Sequence, residues 1–310
     1  MIRVNNVTLE YKINRNDKVM ALNDISFNIH EGERVGLIGL NGAGKSSIIK
    51  LLTGIIKPTQ GSISIFEKDP FLHRKEVCCS YGVMFGQRSQ LWWDLPVRDS
   101  FYINGNIYGM KKKNIIDKLE QFSEWLKIDY LDVPVRKLSL GRRVMCDVLL
   151  AMLHEPSILF LDESTIALDV VNKKRILEML SLLNDKSGTA LFLTSHQLDD
   201  IETICDRIIV LNSGEVFFDG LLTEFMDTSK IKSVISIRAS EIEKIRNKLA
   251  VCEEDIDIKI RNTANEICIY LSDENEKYDL LLKYLANNIA LDDFEIRRIN
   301  LEERILLMEG

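Results

Sequence analysis

Apolar residues along this chain fall into short β-rich runs and longer stretches with helical spacing, and the alternation between them predicts an α/β fold. β-rich segments at Ile2 to Tyr11 and Ile25 to His30 lead into Arg34-Val35-Gly36-Leu37-Ile38, which reads as a buried strand, and Ser46 to Leu52 follows as a helix. A β pair around Ile63 to Phe66 and a strand at Ser80 to Phe85 come next. Val97 to Tyr108 and Lys113 to Leu126 place apolar residues three or four apart, the spacing of one helix face. Arg142 to His154 begins a further helix after a glycine-containing turn. Two continuous apolar runs, Ile158 to Leu161 and Ala190 to Ser195, have the character of parallel strands buried on both faces. Arg207 to Leu211 and Val216 to Phe218, joined by Asn212-Ser213-Gly214-Glu215, read as a hairpin.

The pattern changes after Phe217-Phe218-Asp219-Gly220. From there it predicts strand at Val234 to Arg238, helix at Glu241 to Leu249, strands at Ile256 to Ile260 and Glu266 to Leu271, helix at Glu276 to Asn287 and strand at Phe294 to Ile299. That order is βαββαβ, a ferredoxin-like arrangement, with a short helix from Leu301 to close it. Charge shifts at the same place: residues 221–310 hold 13 Lys and Arg against 19 Asp and Glu, so −6 of the total −7 lies there. The expected organisation is therefore a main domain over residues 1–225, with a helical subdomain at about 88–145, and an α+β accessory domain over 226–310. The tail shows no chemistry-bearing motif, which favours a structural or dimerising role over a ligand sensor.

Composition narrows the function classes. With 310 residues, 46% hydrophobic and 28% charged, the chain is an ordinary globular protein of more than one folding unit. No apolar run reaches the length of a membrane-spanning helix. The start, Met1-Ile2-Arg3-Val4-Asn5, lacks the layout of a secretory signal, so the cytoplasm is the expected compartment. Cys78, Cys79, Cys146, Cys205, Cys252 and Cys268 form no C-x-x-C pair, which points to free thiols rather than metal ligands. Net negative charge argues against nucleic acid as a partner, and Lys111-Lys112-Lys113 reads as a solvated basic run.

The candidate chemistry starts at Gly39-Leu40-Asn41-Gly42-Ala43-Gly44-Lys45-Ser46-Ser47, which fits the phosphate-loop pattern G-x-x-x-x-G-K-[ST] between a strand and a helix. Glycines at 39, 42 and 44 allow a tight turn that brings backbone N–H groups against phosphate oxygens, and the helix N-terminus adds partial positive charge. Gly39, Asn41, Gly42, Ala43, Gly44, Lys45, Ser46 and Ser47 are the expected triphosphate-binding set. Lys45 reaches the outer phosphates and the Ser46 hydroxyl completes a magnesium shell. Ile158-Leu159-Phe160-Leu161 delivers Asp162 and Glu163 to the C-terminal edge of its strand, where ligands of parallel sheets collect. Asp162 is expected to hold magnesium, directly or through water, and Glu163 to polarise the water that attacks the γ-phosphate. The strand ending at Ser195 brings His196 to the same edge, as a contact to the γ-phosphate.

With these residues in order, the chain resembles the nucleotide-binding subunit of an ATP-binding cassette transporter over roughly residues 1–225. Lys137-Leu138-Ser139-Leu140-Gly141-Arg142-Arg143 is similar to that family's Leu-Ser-Gly-Gly-Gln signature, matching at Ser139 and Gly141. The resemblance implies a phosphate-loop ATPase fold with an inserted helical subdomain, binding ATP and magnesium. Two cassettes, in a homodimer or a heterodimer, would sandwich two ATP molecules, with Ser139 and Gly141 of one closing on the γ-phosphate held by the other.

It further implies that Gln87 links magnesium and the attacking water to a membrane partner, that Tyr11 stacks on adenine, that His196 is the switch histidine, and that Leu168-Asp169 connects the two sites. An integral membrane permease is the implied partner, which would hold the chain peripherally at the inner face of the membrane. Gln87-Arg88-Ser89-Gln90-Leu91-Trp92-Trp93-Asp94-Leu95-Pro96 is similar to the exporter-type branch. Trp92 and Trp93 suit either an apolar seat for the permease or packing of the helical subdomain. The sequence departs from the family at Leu140, Arg142, Ser164 and Ala167, and Arg142 is expected to set a positive charge near the opposing nucleotide. Two alternatives stay open: a soluble cassette protein acting on the ribosome or DNA, and a catalytically weak half of a heterodimer.

Overall fold

The computed structural model describes residues 1–12, 14, 17–86, 89–162, 168–195, 198–227, 231–238, 259–263, 266–272 and 294–307. The chain divides into two compact units, Met1–Leu222 and Thr223–Gly310.

The first unit is built on two sheets. β1 (Ile2–Lys12) pairs antiparallel with both β2 (Lys18–Ile29) and β4 (Gln60–Ile65). The larger sheet takes β3 (Arg34–Gly39), β5 (Tyr81–Phe85), β6 (Ile158–Asp162), β7 (Ala190–Thr194), β8 (Arg207–Asn212) and β9 (Glu215–Leu221) in the order β5-β6-β7-β3-β8-β9. Its first five strands run parallel and β9 closes the edge as an antiparallel hairpin. All four apolar residues of β6 are fully buried, as a strand covered on both faces requires.

Helix α1 (Lys45–Leu52) buries Ile48, Ile49, Leu51 and Leu52 against β3, β4 and β6, and so bridges the two sheets. Rings carry the same connection. Tyr81 meets Phe160 edge-on at 5.6 Å, Phe160 meets Phe192 at 6.0 Å, and Phe192 stacks on Phe27 of β2 at 6.3 Å. This aromatic row crosses from β5 through β6 and β7 to the antiparallel sheet.

A single-turn α2 (Arg74–Val77) lies between β4 and β5, and between β5 and β6 lie α3 (Val97–Ile107), α4 (Lys112–Leu126) and α5 (Leu140–Met152). α4 buries Ile115, Leu119, Phe122 and Leu126, an apolar stripe of helical period, and Phe122 meets Phe101 of α3 edge-on at 6.4 Å. α6 (Val170–Ser187) and α7 (Leu198–Ile204) follow β6 and β7.

In the second unit, which starts within α8 (Leu222–Asp227), β10 (Ile231–Arg238), β11 (Lys259–Thr263), β12 (Glu266–Ser272) and β13 (Phe294–Arg298) form an antiparallel sheet in the order β11-β12-β10-β13, followed by α9 (Leu301–Leu307). Numbered within the unit, that order is 2-3-1-4. A βαββαβ chain reaches it when each helix returns the chain to a strand that is not the neighbour of the one just left. The helices predicted at 241–249 and 276–287 lie outside the described residues.

Several boundaries differ from the sequence expectation, each for a physical reason. β2 begins at Lys18 rather than Ile25: Val19 pairs with Tyr11 and Lys18 with Lys12, and the run Val19 to Leu22, with Val19 and Met20 exposed and Leu22 buried, does not alternate apolar with polar as a half-buried strand would. Phe66, expected in a strand, leaves it with φ of 48°. α5 starts at Leu140 rather than Arg142, because Ser139 caps it. β11 runs to Thr263 instead of ending at Ile260. Its pairing of Thr263 with Glu266 draws polar Arg261 and Asn262 into the ladder.

Phe160 is fully buried at the centre of the aromatic row, whereas Phe217 on the edge strand is 58% exposed. Phe160→Ala is expected to lower unfolding free energy by about 4 kcal/mol and Phe217→Ala by about 0.5 kcal/mol or less. Denaturant titration of the two variants compares them directly.

Candidate functional site

β3 ends at Gly39, paired with Leu211 of β8, and the chain turns to enter α1 at Lys45. Gly42 and Gly44 have φ of 85° and 107°, which lies in the left-handed region. A Cβ on Gly44 would come within 2.8 Å of the Ala21 carbonyl, whereas one on Gly42 would meet nothing within 4 Å. The first glycine is thus required by a close backbone approach, and the second borders open space in front of the loop.

The N-terminus of α1 has no side-chain cap and no acidic residue in its first turn, so its N–H groups and dipole face that space. Lys45 is 8% exposed and folds back over the loop, donating to the carbonyls of Gly39 at 2.5 Å and Leu40 at 3.0 Å. Backbone donors, helix dipole and a lysine held alongside fit a triphosphate group. Asn41 and Gly42 are exposed and Ala43 is buried. Ser46 is exposed at the helix start, and the Ser47 hydroxyl lies 3.2 Å from the Tyr11 hydroxyl. Tyr11, at the end of β1, is therefore brought beside Ser47, 36 residues further along the chain.

The parallel register lines up the other strand ends. Phe85 sits opposite Asp162, and Asp162 opposite Thr194. β7 then pairs with β3, so β5, β6 and β7 deliver their C-terminal ends to the edge from which the phosphate loop leaves. The Asp162 carboxylate accepts a hydrogen bond from the Thr194 hydroxyl at 2.6 Å. Thr194 is 2% exposed and was not singled out from sequence. Its place in the register, one position before Ser195 and directly across from Asp162, is the signal that marks it. Asp162 and the Ser46 hydroxyl are oxygen donors suited to magnesium. Gln87, Glu163 and His196 lie outside the described residues; each follows within two positions the end of one of these three strands.

Ser139 stands apart on the helical insertion. It is the exposed N-cap of α5, its hydroxyl accepting from Arg142 N–H at 3.4 Å, and the first turn it caps, with Gly141, carries no acidic residue. In the single chain Arg142 does not project its charge freely. Its guanidinium lies over the Tyr130 ring, 4.5 Å from the centroid. Arg143 covers Trp93 at 4.9 Å, and Trp92 and Trp93 are 51% and 52% exposed. Asp169 caps α6, accepting from the Asn172 backbone at 3.0 Å and its side chain at 2.6 Å, and these bonds hold its carboxyl below the usual range.

Comparisons with known proteins identify the family. The ABC transporter family model matches residues 22–166. The chain is 29% identical to the ABC transporter ATP-binding protein NatA of Bacillus subtilis over 72% of this chain and 91% of that one. It is 30% identical to the Nod factor export ATP-binding protein I of Bradyrhizobium diazoefficiens, over 78% of each. Among solved structures, a dimeric bacterial ABC transporter cassette matches 72% of this chain and 99% of that one, with a TM-score of 0.65 at 25% identity. The chain belongs to the ATP-binding subunits of ABC transporters, an ATPase family. Among the described residues no helix is long and apolar enough to cross a membrane.

Lys45→Ala removes a charged donor from the loop, and ATP affinity is expected to fall about tenfold to a hundredfold, the weight of a charge-assisted hydrogen bond. Calorimetric titration with ATP measures it, and unchanged affinity would remove Lys45 from the site.

Proposed function

We propose that this chain binds ATP and magnesium at the loop after β3, hydrolyses ATP between two cassettes, and drives a separate integral membrane permease of exporter type. The observation that carries the reading is the shared edge: the phosphate loop, Asp162 and Thr194 stand at the C-terminal ends of neighbouring parallel strands. Backbone N–H groups of residues 41–47 and the Lys45 ammonium hold the phosphates, and Tyr11 lies under the base. Ser46, Asp162 and Gln87 hold magnesium, which when bound offsets the charge building on the phosphate oxygens. Glu163 takes a proton from water as its oxygen bonds to the γ-phosphorus. The bond to the bridging oxygen breaks, releasing ADP and phosphate. His196 holds the γ-phosphate in line, and Ser139 with the Gly141 N–H of a second cassette closes the site from the other side.

The name of the Nod factor relative supports export, as does the segment from Gln87 to Pro96. In this reading the chain is a cytoplasmic, peripheral subunit, with its cassette in residues 1–225, the helical subdomain at 88–145 and an accessory domain in 226–310 that serves structure or dimerisation. A second reading rests on Ser164 and Arg142: the chain is the weaker half of a heterodimer. ATPase activity of the purified chain alone, against the same chain with its permease, separates the two.

Glu163→Gln keeps the shape of the side chain and removes the base. Turnover is expected to fall by about a hundredfold or more while ATP binding persists. Phosphate release at near the normal rate in that variant would reject Glu163 as the base.

A further inference from the structure

α5 carries a buried carboxylate that neither caps the helix nor touches the phosphate loop. Asp147 is 4% exposed and sits about 12 Å along the helix from Ser139 at 1.5 Å per residue. Placing a carboxylate there costs free energy unless donors meet it. The donors that do so come from the segment entering the helical insertion. Asp147 Oδ1 accepts from Gln90 N–H at 2.8 Å and from the Ser89 hydroxyl at 3.1 Å.

The same segment is fastened on its other sides. Gln90 Nε2 donates to the Val83 carbonyl of β5 at 2.6 Å, Leu91 N–H donates to the Ser89 hydroxyl at 3.2 Å, and Trp92 N–H donates to the buried Ser100 hydroxyl of α3 at 3.0 Å. One helical turn before Asp147, the Arg143 guanidinium lies over Trp93, a second tie between the same two elements. Residues 89 and 90 lie two and three positions after Gln87, and α5 is the helix that Ser139 caps.

We propose that Asp147 is a positioning residue that fastens the segment after Gln87 to the Ser139 helix, so that the nucleotide-sensing loop and the trans-acting helix end move as one body. This rests on the roles given above to Gln87 and Ser139. Burial raises the Asp147 carboxyl to about 6, against the opposing pull of the Gln90 and Ser89 donors and of Arg143. Among the described residues, the charged or titratable groups it feels are Arg143 and Cys146 of its own helix, while the segment packed on it brings neutral Ser89 and Gln90. Because its folded value lies above the ordinary 3.8, Asp147 contributes stability below that pH which is lost as pH rises through about 6. The tether has the opposite sign, since the ionised carboxylate is the stronger acceptor. Stability and coupling therefore separate.

The test compares the full wild-type chain with Asp147→Ala, Asp147→Asn and Ser89→Ala, measuring kcat, KM and ATP affinity across pH. Asp147→Ala is expected to lose about tenfold in kcat, as when one buried charge-assisted acceptor is removed, with ATP affinity within about twofold of wild type. Asp147→Asn, whose amide oxygen still accepts both donors, is expected to keep most of kcat and to lack the acidic limb near pH 6 that is expected of wild type. At pH 7.5 it is expected to be at least as stable as wild type. Ser89→Ala, which leaves the carboxylate and removes one donor, is expected to lose about threefold and carries the test should Asp147→Ala not fold.

The proposal is overturned by normal kcat in Asp147→Ala, by equal losses in the Ala and Asn variants, or, where Asp147→Ala does not fold, by normal kcat in Ser89→Ala. Failure of the underlying reading looks different: in that case Glu163→Gln remains active.

Discussion

Between Gly39 and Lys45 the backbone leaves a buried strand, passes through positive φ at Gly42 and Gly44, and enters a helix with its N–H groups aimed outward. The arrangement depends on that turn. A side chain at Gly44 would strike the Ala21 carbonyl and Leu22, so the loop can sit this close to β2 only with hydrogen there. Helix and strand are in turn held by burial: Leu37, Ile48, Ile49 and Leu52 are almost fully enclosed between the two sheets. The donor-rich edge is thus backed by a rigid core, which limits how far the phosphate-facing N–H groups can shift.

The parallel register transmits the same rigidity sideways. Asp162 is fixed by its strand and by the Thr194 hydroxyl from the neighbouring strand, so the two ends report on one another. The helical insertion is attached to this frame through β5 and α5, and its internal wiring concentrates on the segment after Gln87. Ser89, Gln90 and Trp93 are each held by α5, the first two through Asp147 and the third through Arg143. In the proposed reading, what Gln87 senses at one nucleotide reaches the Ser139 end that serves the other.

Much of this was legible in the residues because the relevant physics is local. The phosphate loop, the Ile158 to Asp162 strand and the stripe on α4 follow from residue type and spacing alone, and the tail strands expected at 234–238, 266–271 and 294–299 fall on β10, β12 and β13. Long-range pairing was harder to read. The outer half of β2 has the apolar run Val19 to Leu22 without strand alternation, Val19 and Met20 exposed and Leu22 buried, so its pairing with β1 is what reveals it as strand. Thr194 acquires meaning from its cross-strand neighbour, and Asp147 looked like any helical carboxylate until the chain brought Ser89 and Gln90 onto it. The motif places Arg142 near the opposing nucleotide, and in the single chain its guanidinium lies over the Tyr130 ring, a neighbour that residue spacing does not reveal.

The most direct measurement is a crystal structure of the chain with magnesium and a non-hydrolysable ATP analogue. The account predicts phosphate oxygens within hydrogen-bond distance of the N–H groups of residues 42–46, with Lys45 Nζ moved off the Gly39 and Leu40 carbonyls onto the outer phosphates. An analogue bound elsewhere, with Lys45 still folded over those two carbonyls, would contradict it.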